Sequence, residues 1–340
     1  MRISTLKDVA RHAGVSVKTV SNVVNGYPYI SADMRRRVQA AIEELKYRPN
    51  PTARHLRAGR TGLLALVVTG TGLPYLDDLA VDVVAAAAAD RGYRVVVERG
   101  DLAAIGAARP MAVDGVLLAA DGTPPEPIQA QAAAGTPLVR LGETRDGHGD
   151  HVAIDHARAA RDATEHLLRA GRRTVAAIGG HPDQSPAAPG PRTAGYRQAL
   201  RRVGLAPRPG DEQPVRWHRR AEGHRAARAL LAGPAPPDAI FCHSDLLAIG
   251  AVRAVVDAGL RVPDDVAVIG IGDIEEGRYS RPALSTVAVD TAFIAREAVA
   301  RIAARGDQPD AAPVEITAPH AVRPRESSGA ATPAGRPLPG

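Results

Sequence analysis

The sequence predicts an all-α helix-turn-helix module at the N-terminus, followed by a larger α/β domain built on doubly wound parallel sheets. Three observations carry this prediction. Residues 1–48 are basic and patterned as short helices. Residues 49–60 open on Pro49-Asn-Pro51 and read as a linker with one short helix. From Leu63 onward, short Val/Leu/Ile runs alternate with longer Ala- and Arg-rich stretches of helical periodicity. A chain of 340 residues, 45% hydrophobic, is long enough for two or three domains with a sizeable core. With aromatics at 3%, that core must be built from Val, Leu, Ile and Ala.

In the N-terminal module, Thr5-Leu-Lys-Asp8 has the form of a capping box, and Leu6, Val9 and Ala10 share one helix face. Gly14 stands where the chain must turn sharply, and Ser16 can cap a second helix with Val20, Val23 and Val24 on its inner side. Val17, Lys18, Ser21 and Asn22 are left facing outward. In a helix-turn-helix this second helix lies in the major groove. Lys18 suits guanine acceptors, Asn22 suits adenine or a phosphate, and Val17 suits a thymine methyl. A third helix, capped by Ser31, carries Val38, Ala41, Ile42 and Leu45 inward and offers Arg35, Arg36 and Arg37 to phosphates. Charge location agrees. Residues 1–60 hold 12 Lys or Arg against 4 Asp or Glu, whereas the rest of the chain is slightly acidic, so the overall +6 originates wholly in this module. A solvated basic tail would also carry such charge, but not helix caps and an apolar face.

In the larger domain the predicted strands are Leu63–Val68, Arg94–Val97, Gly115–Ala119, Pro137–Leu141, Val152–Ile154, Thr174–Ile178, Ala239–Cys242 and Val266–Gly270. The predicted helices are Leu76–Arg91, His156–Ala170, Arg192–Val203, Ala221–Leu231 and Leu246–Ala258. Ligands of such folds bind at the carboxyl ends of the strands. The last 15 residues, 326–340, are rich in Pro, Gly, Ser and Ala and are expected to be a disordered tail. The single cysteine, Cys242, lies in an apolar run and reads as a core residue in a reducing compartment. The N-terminus lacks the apolar core of a signal peptide, and no run approaches the ~18 apolar residues of a membrane span. A cytoplasmic location without membrane association is expected.

Enzyme readings find little support. Gly70-Thr-Gly72 follows a strand, but Tyr75 stands where a dinucleotide loop needs its third glycine. Gly270-Ile-Gly272 runs on to Glu275 and fails in the same way. His148, His151 and His156 fit neither a zinc finger nor a zincin helix. No Ser/His/Asp arrangement is legible, so neither catalysis, metal nor resident cofactor is expected.

The run Thr5-Leu-Lys-Asp-Val-Ala-Arg-His-Ala-Gly-Val-Ser-Val-Lys-Thr-Val-Ser-Asn-Val-Val-Asn25, continued by Ile42-Glu-Glu-Leu-Lys-Tyr-Arg-Pro-Asn-Pro-Thr-Ala-Arg-His-Leu56, resembles the headpiece of LacI-family repressors. The resemblance implies a helix-turn-helix headpiece (1–48), a hinge helix or linker (49–60) and a periplasmic-binding-protein-like effector domain (61–325) of two doubly wound parallel-sheet subdomains. It divides that domain into an N-subdomain of about 61–158 and 288–318 and a C-subdomain of about 159–287. It extends the DNA-contacting set to Thr5, Ser16, Thr19, Ser21, Asn25 and Tyr29, and in the hinge to Ala53, Arg54 and Leu56. Leu56 is implied as a minor-groove wedge at the operator centre, with Ala53 close beside it. About eight residues cannot hold a helix alone in water, which makes the hinge a natural switch. The alternative is a plain flexible linker.

The effector domain is similar to the family through Val152-Ala-Ile-Asp155, His166–Gly171, Arg192–Tyr196, Ser244-Asp245, Gly259–Gly270 and Pro282–Val287. Arg192 matches the arginine that clamps the ligand's oxygens. Tyr75 and Trp217 or His218 fall where aromatic walls are found, and Asp155, Ser244, Asp245 and Asp273 complete the candidate set. For Asp155 a capping role weighs as much as ligand contact. Three departures stand out. Gly272 occupies the place of the aspartate that holds ligand hydroxyls, Ser244 replaces a frequent asparagine, and Thr69–Tyr75 lacks the usual Asn-Pro-Phe. They set the chain apart from ordinary sugar recognition. The expected function is a sequence-specific DNA-binding repressor, a homodimer or tetramer on a near-palindromic double-stranded operator, controlled by a small-molecule effector, a sugar or related metabolite. The alternative is a periplasmic-type small-molecule-binding protein without specific DNA recognition.

Overall fold

The computed structural model describes residues 4–24, 27–47, 60–68, 75–90, 92–99, 112–119, 130, 133, 135–143, 149–183, 185 and 187–329. Residues up to 62 form one compact unit and those from 63 onward another. In the first, helix α1 (Leu6–Ala13) starts at a complete capping box: Thr5 Oγ1 accepts from the Asp8 amide, and the Asp8 carboxylate accepts from the Thr5 amide. Gly14, at φ 63, ends it in the left-handed region, and the Val15 amide donates back to the Ala10 carbonyl at 3.0 Å. Helix α2 (Val17–Val24) follows from Ser16, whose hydroxyl accepts from the Thr19 amide at 3.0 Å. Helix α3 (Ala32–Glu44) is capped by Ser31. Val9, Val20 and Val38, one from each helix, are fully buried at the centre.

The second unit holds two six-stranded sheets. The N-subdomain sheet contains β1 (Leu63–Val68), β2 (Arg94–Arg99), β3 (Gly115–Ala119), β4 (Leu138–Arg140), β5 (Asp150–Ile154) and the late strand Glu315–Ala318. Every pairing in it is parallel, with β1 between β3 and β2 and β2 at the edge. Helix α4 (Leu76–Ala89) packs on the helix Thr291–Asp307 against this sheet.

The chain then enters the C-subdomain with α5 (His156–Arg169), β6 (Val175–Ile178), α6 (Pro191–Arg202), β7 (Glu212–Gln213), α7 (Arg220–Leu231), β8 (Ala239–Cys242), α8 (Asp245–Asp257), β9 (Ala267–Gly272), the short α9 (Glu275–Tyr279) and β10 (Ser285–Val289). After α10 (Thr291–Asp307) come β11 (Glu315–Ala318) and β12 (His320–Arg323), which pairs antiparallel with β10. Along β8, Ile240 and Cys242 join the cluster of α7 and α8, while Phe241 joins that of α5 and α6. The period-two alternation of a strand therefore covers both faces with helices, which is why these strands read as unbroken apolar runs.

Two expectations need correction. The subdomain boundaries lie at Asp155, Asp290 and Pro319: α5 packs on C-subdomain strands, β10 runs in the C-subdomain sheet to Val289, and β12 returns to that sheet. The tail does not begin at residue 326. Glu326–Ser328 forms a 3-10 turn with Ser327 and Ser328 buried, Ser327 donating to the Val268 carbonyl at 2.7 Å and Ser328 bonded to Ser285 at 2.7 Å. Small hydroxylated side chains look disorder-prone in sequence, but here they meet backbone and side-chain polar groups at the sheet end. Residues 330–340 lie outside the described residues.

Candidate DNA-reading helix and effector site

Helix α2 turns Val20 and Val23 inward and leaves Val17 and Lys18 exposed, with Ser21 and Asn22 half-buried beside them. Thr5 and Ser16 act as helix caps, and the Thr19 hydroxyl bonds that of Ser16 at 2.9 Å. Tyr29 is 86% exposed, and its ring meets Tyr27 edge-on at 5.7 Å. Tyr27 was not anticipated; its position two residues from Tyr29 is the only signal. Asn25, Ala53, Arg54 and Leu56, and with them the hinge, lie outside the described residues. The arginine run expected on phosphates is mostly committed elsewhere. Arg37 donates to the Ala13 carbonyl at 2.8 Å, and Arg35 to the Tyr27 carbonyl at 3.1 Å. Arg37 thereby satisfies a carbonyl at the end of α1, and Arg35 ties α3 to the segment that precedes it.

In the larger unit, Arg192 sits in the first turn of α6, where Pro191 at the helix start fixes the backbone for helix entry. It is 2% exposed. Its Nε lies 2.7 Å from Glu143 Oε1 in an ion pair that lacks hydrogen-bond geometry, and its Nη2 donates to His156 Nδ1 at 3.2 Å. Glu143 follows β4 of the N-subdomain, and His156 opens α5. The three groups therefore meet where the two subdomains join.

Nearby, His243 follows β8 and lies against Gly179, where a Cβ would stand 2.3 Å from the imidazole. His218, buried, donates from Nε2 to the Gly179 carbonyl at 3.3 Å and meets His243 edge-on at 6.4 Å. Burial first, then Arg192 and His218, holds His243 well below the usual histidine range, so it stays neutral. Asp245 is buried, accepting from Thr286 Oγ1 at 2.6 Å and from the Ile274 amide at 3.1 Å. Burial pushes its carboxyl up to about 7 against those hydrogen bonds. Ser244 caps α8 through the Leu247 amide, and Asp155 caps α5 through the Arg158 amide at 2.9 Å.

The other candidates are dispersed. Tyr75 is 1% exposed within the large hydrophobic core, not an open wall. Trp217 is 40% exposed, with the Arg219 guanidinium 5.3 Å from its ring centroid. Gly272 has φ 142, where a side chain would be strained, and Asp273 is held by Arg278 and Arg325. Sequence reasoning missed Glu143 and His243 as site residues and weighed His156 only as a metal ligand. Their one signal is position, each just beyond the carboxyl end of a strand.

Residues 5–50 match the model of bacterial regulatory proteins, lacI family, and residues 164–328 that of a periplasmic binding protein-like domain. An HTH-type transcriptional repressor PurR from Erwinia tasmaniensis is 32% identical over 299 residues, covering 84% of this chain and 85% of the relative. This chain belongs to the LacI family. Family membership makes it a DNA-binding transcriptional regulator with a helix-turn-helix and a periplasmic-binding-protein-like domain. Among solved structures, a transcriptional regulator CelR–cellobiose complex is 30% identical, with TM-score 0.69, over 95% of this chain and 99% of that one. The lac repressor dimer bound to operator and the anti-inducer ONPF is 26% identical, with TM-score 0.74, over 97% of this chain and 100% of that one. No helix among the described residues is long and apolar enough to cross a membrane.

Proposed function

We propose that this regulator is a homodimeric repressor that reads a near-palindromic operator with α2 and changes its grip when a small metabolite enters the junction between the two α/β subdomains. The observation that carries the reading is the division of α2 itself: Val20 and Val23 are spent on the core, while Val17 and Lys18 stand outward on a module that holds all the net positive charge. Phosphate contacts from Lys and Arg supply salt-dependent affinity, and the outward side chains of α2 supply selectivity.

A dimer is supported by an exposed apolar stripe on α4. Val81, Val84, Ala85 and Ala88, at helical spacings of three and four, all face outward. Exposed Val97 on edge strand β2 continues it. An apolar face of this kind is costly in water and suits an isologous contact. The relative solved as a dimer on operator uses the same overall fold. For the ligand, the CelR–cellobiose complex makes a sugar or related metabolite the first class to test.

The test is selection of genomic DNA fragments by the purified protein at near-physiological salt. Enrichment of a near-palindrome is expected, and the genes beside it nominate the effector. Salt-sensitive, sequence-blind binding, unchanged by candidate metabolites, would overturn the reading.

A further inference from the structure

Arg192 is already occupied in this chain. The carboxylate of Glu143 reaches it from the opposite subdomain as an ion pair at 2.7 Å, and His156 takes the Nη2 N–H at 3.2 Å. Accepting through Nδ1 requires that nitrogen to carry no proton, so His156 shares Arg192 without adding charge. A buried ion pair adds little net stability, because removing both charges from water offsets their attraction. The pair is therefore a poor staple, but it sets which chemistry can enter the site.

We propose that Glu143 is an internal stand-in for the effector, and that the effector is a small hydroxylated metabolite bearing an oxyanion, which takes Arg192 over from Glu143. The inference deepens the regulator reading and rests on it only for where the effector binds. Three observations point to the oxyanion. First, exchanging one anion for another keeps the buried guanidinium neutralised, whereas a neutral hydroxyl in Glu143's place would leave a bare buried charge. The planar fork of arginine also matches carboxylates and phosphates.

Second, among the described residues the carboxylates expected to grip neutral hydroxyls are replaced or engaged. Gly272 has no side chain and sits at φ 142. Asp273 is held by Arg278 and Arg325, and Asp245 by Thr286 and the Ile274 amide. Third, His243 lies on the Arg192 side of the junction as a buried neutral imidazole, whose one N–H can donate to an oxyanion. The exchange is feasible because Glu143 retains 17% side-chain exposure and can turn to water, whereas Arg192, at 3%, is fixed in helix α6.

The full-length protein, Glu143→Gln and Arg192→Gln are compared by thermal unfolding against inorganic phosphate, glucose 6-phosphate, galacturonate and glucose at matched ionic strength. At least one oxyanion is expected to raise Tm, with a half-maximal concentration about tenfold lower in Glu143→Gln, because an internal competitor lowers apparent affinity by the fraction of time it occupies the site. Arg192→Gln should lose the shift, and glucose should give none. The phosphate and galacturonate arms separate a phosphate ester from a carboxylate. Stabilisation by glucose alone, no oxyanion shift in Glu143→Gln, or equal shifts in all three chains overturns the proposal. Circular dichroism identifies a variant that fails to fold, and the wild-type glucose arm then still decides the ligand class. Operator binding by the same samples is scored separately, since neither substitution touches residues 1–60.

Discussion

His243 and Asp245 are two residues apart and shift in opposite directions, because burial opposes whichever form is charged. His243 stays neutral in the fold, so below its ordinary value of 6.5 only the unfolded chain takes the proton, and stability falls as pH drops. Asp245, raised from 3.8 to about 7, keeps its proton in the fold while the unfolded chain loses it, so this group removes stability as pH rises between those values. Thermal unfolding from pH 8 to pH 4 is therefore expected to lose part of its acid-side fall in His243→Gln and part of its opposing slope in Asp245→Asn. Profiles identical to wild type would refute the assignments. Lys18 is exposed, so Lys18→Ala should leave stability within about 0.5 kcal/mol while altering operator preference. A randomised-site selection with an unchanged consensus would count against Lys18 as a base reader. Local chemistry made Thr5, Ser16 and Ser31 legible as caps, since a cap needs only its own next three residues. Glu143 was not legible, because its partner lies 49 positions away by residue number and in the other subdomain.

At the scale of elements, the helix pairs of the C-subdomain approach through glycines. A Cβ on Gly250 would lie 2.0 Å from the Arg220 carbonyl, one on Gly223 2.1 Å from that of Leu247, and one on Gly195 2.0 Å from that of Ala157. Backbone cannot yield as a side-chain tip can. Gly250→Ala should therefore cost about 1–3 kcal/mol or more, read by urea unfolding, despite alanine's better helix propensity. The α4 stripe makes the opposite kind of prediction. Val81→Glu should leave the fold intact but shift sedimentation toward monomer and weaken operator binding; an unchanged dimer would place the interface elsewhere. The early strands were legible as apolar runs bounded by helices. Ser285–Val289, Thr291–Asp307 and the two last strands were not assigned. β10 starts on Ser285 and Thr286, which are buried only because Ser327 and Asp245 satisfy them.

For the molecule as a whole, three crossings between the sheets, at Asp155, Asp290 and Pro319, build one domain from two parallel-sheet subdomains. A ligand at their junction can then bias their relative arrangement, and through it a dimer's spacing on DNA. The resemblance implies that Leu56 wedges into the operator centre, where unstacking costs a few kcal/mol and is recovered only with both subunits placed. Leu56→Ala should accordingly weaken operator binding more than binding to random DNA in salt-matched gel shifts, and equal losses would remove the wedge.

Sequence alone determined what depends on neighbours along the chain: the capped helices of the N-terminal module, the outward face of α2, the location of the basic charge, the alternation of strand and helix, and the family. Caps, turns and periodicity act within a few residues and need no tertiary partner. Tertiary structure decided what depends on meeting across the fold. It drew Arg35 and Arg37 to backbone carbonyls, built residues 326–329 into the sheet end, buried Tyr75, and set Glu143 on Arg192. Each of these is a charge, a polar group or an apolar surface finding its partner only after distant strands align. Such pairings reward groups by burial and distance, quantities that exist only once the chain has folded.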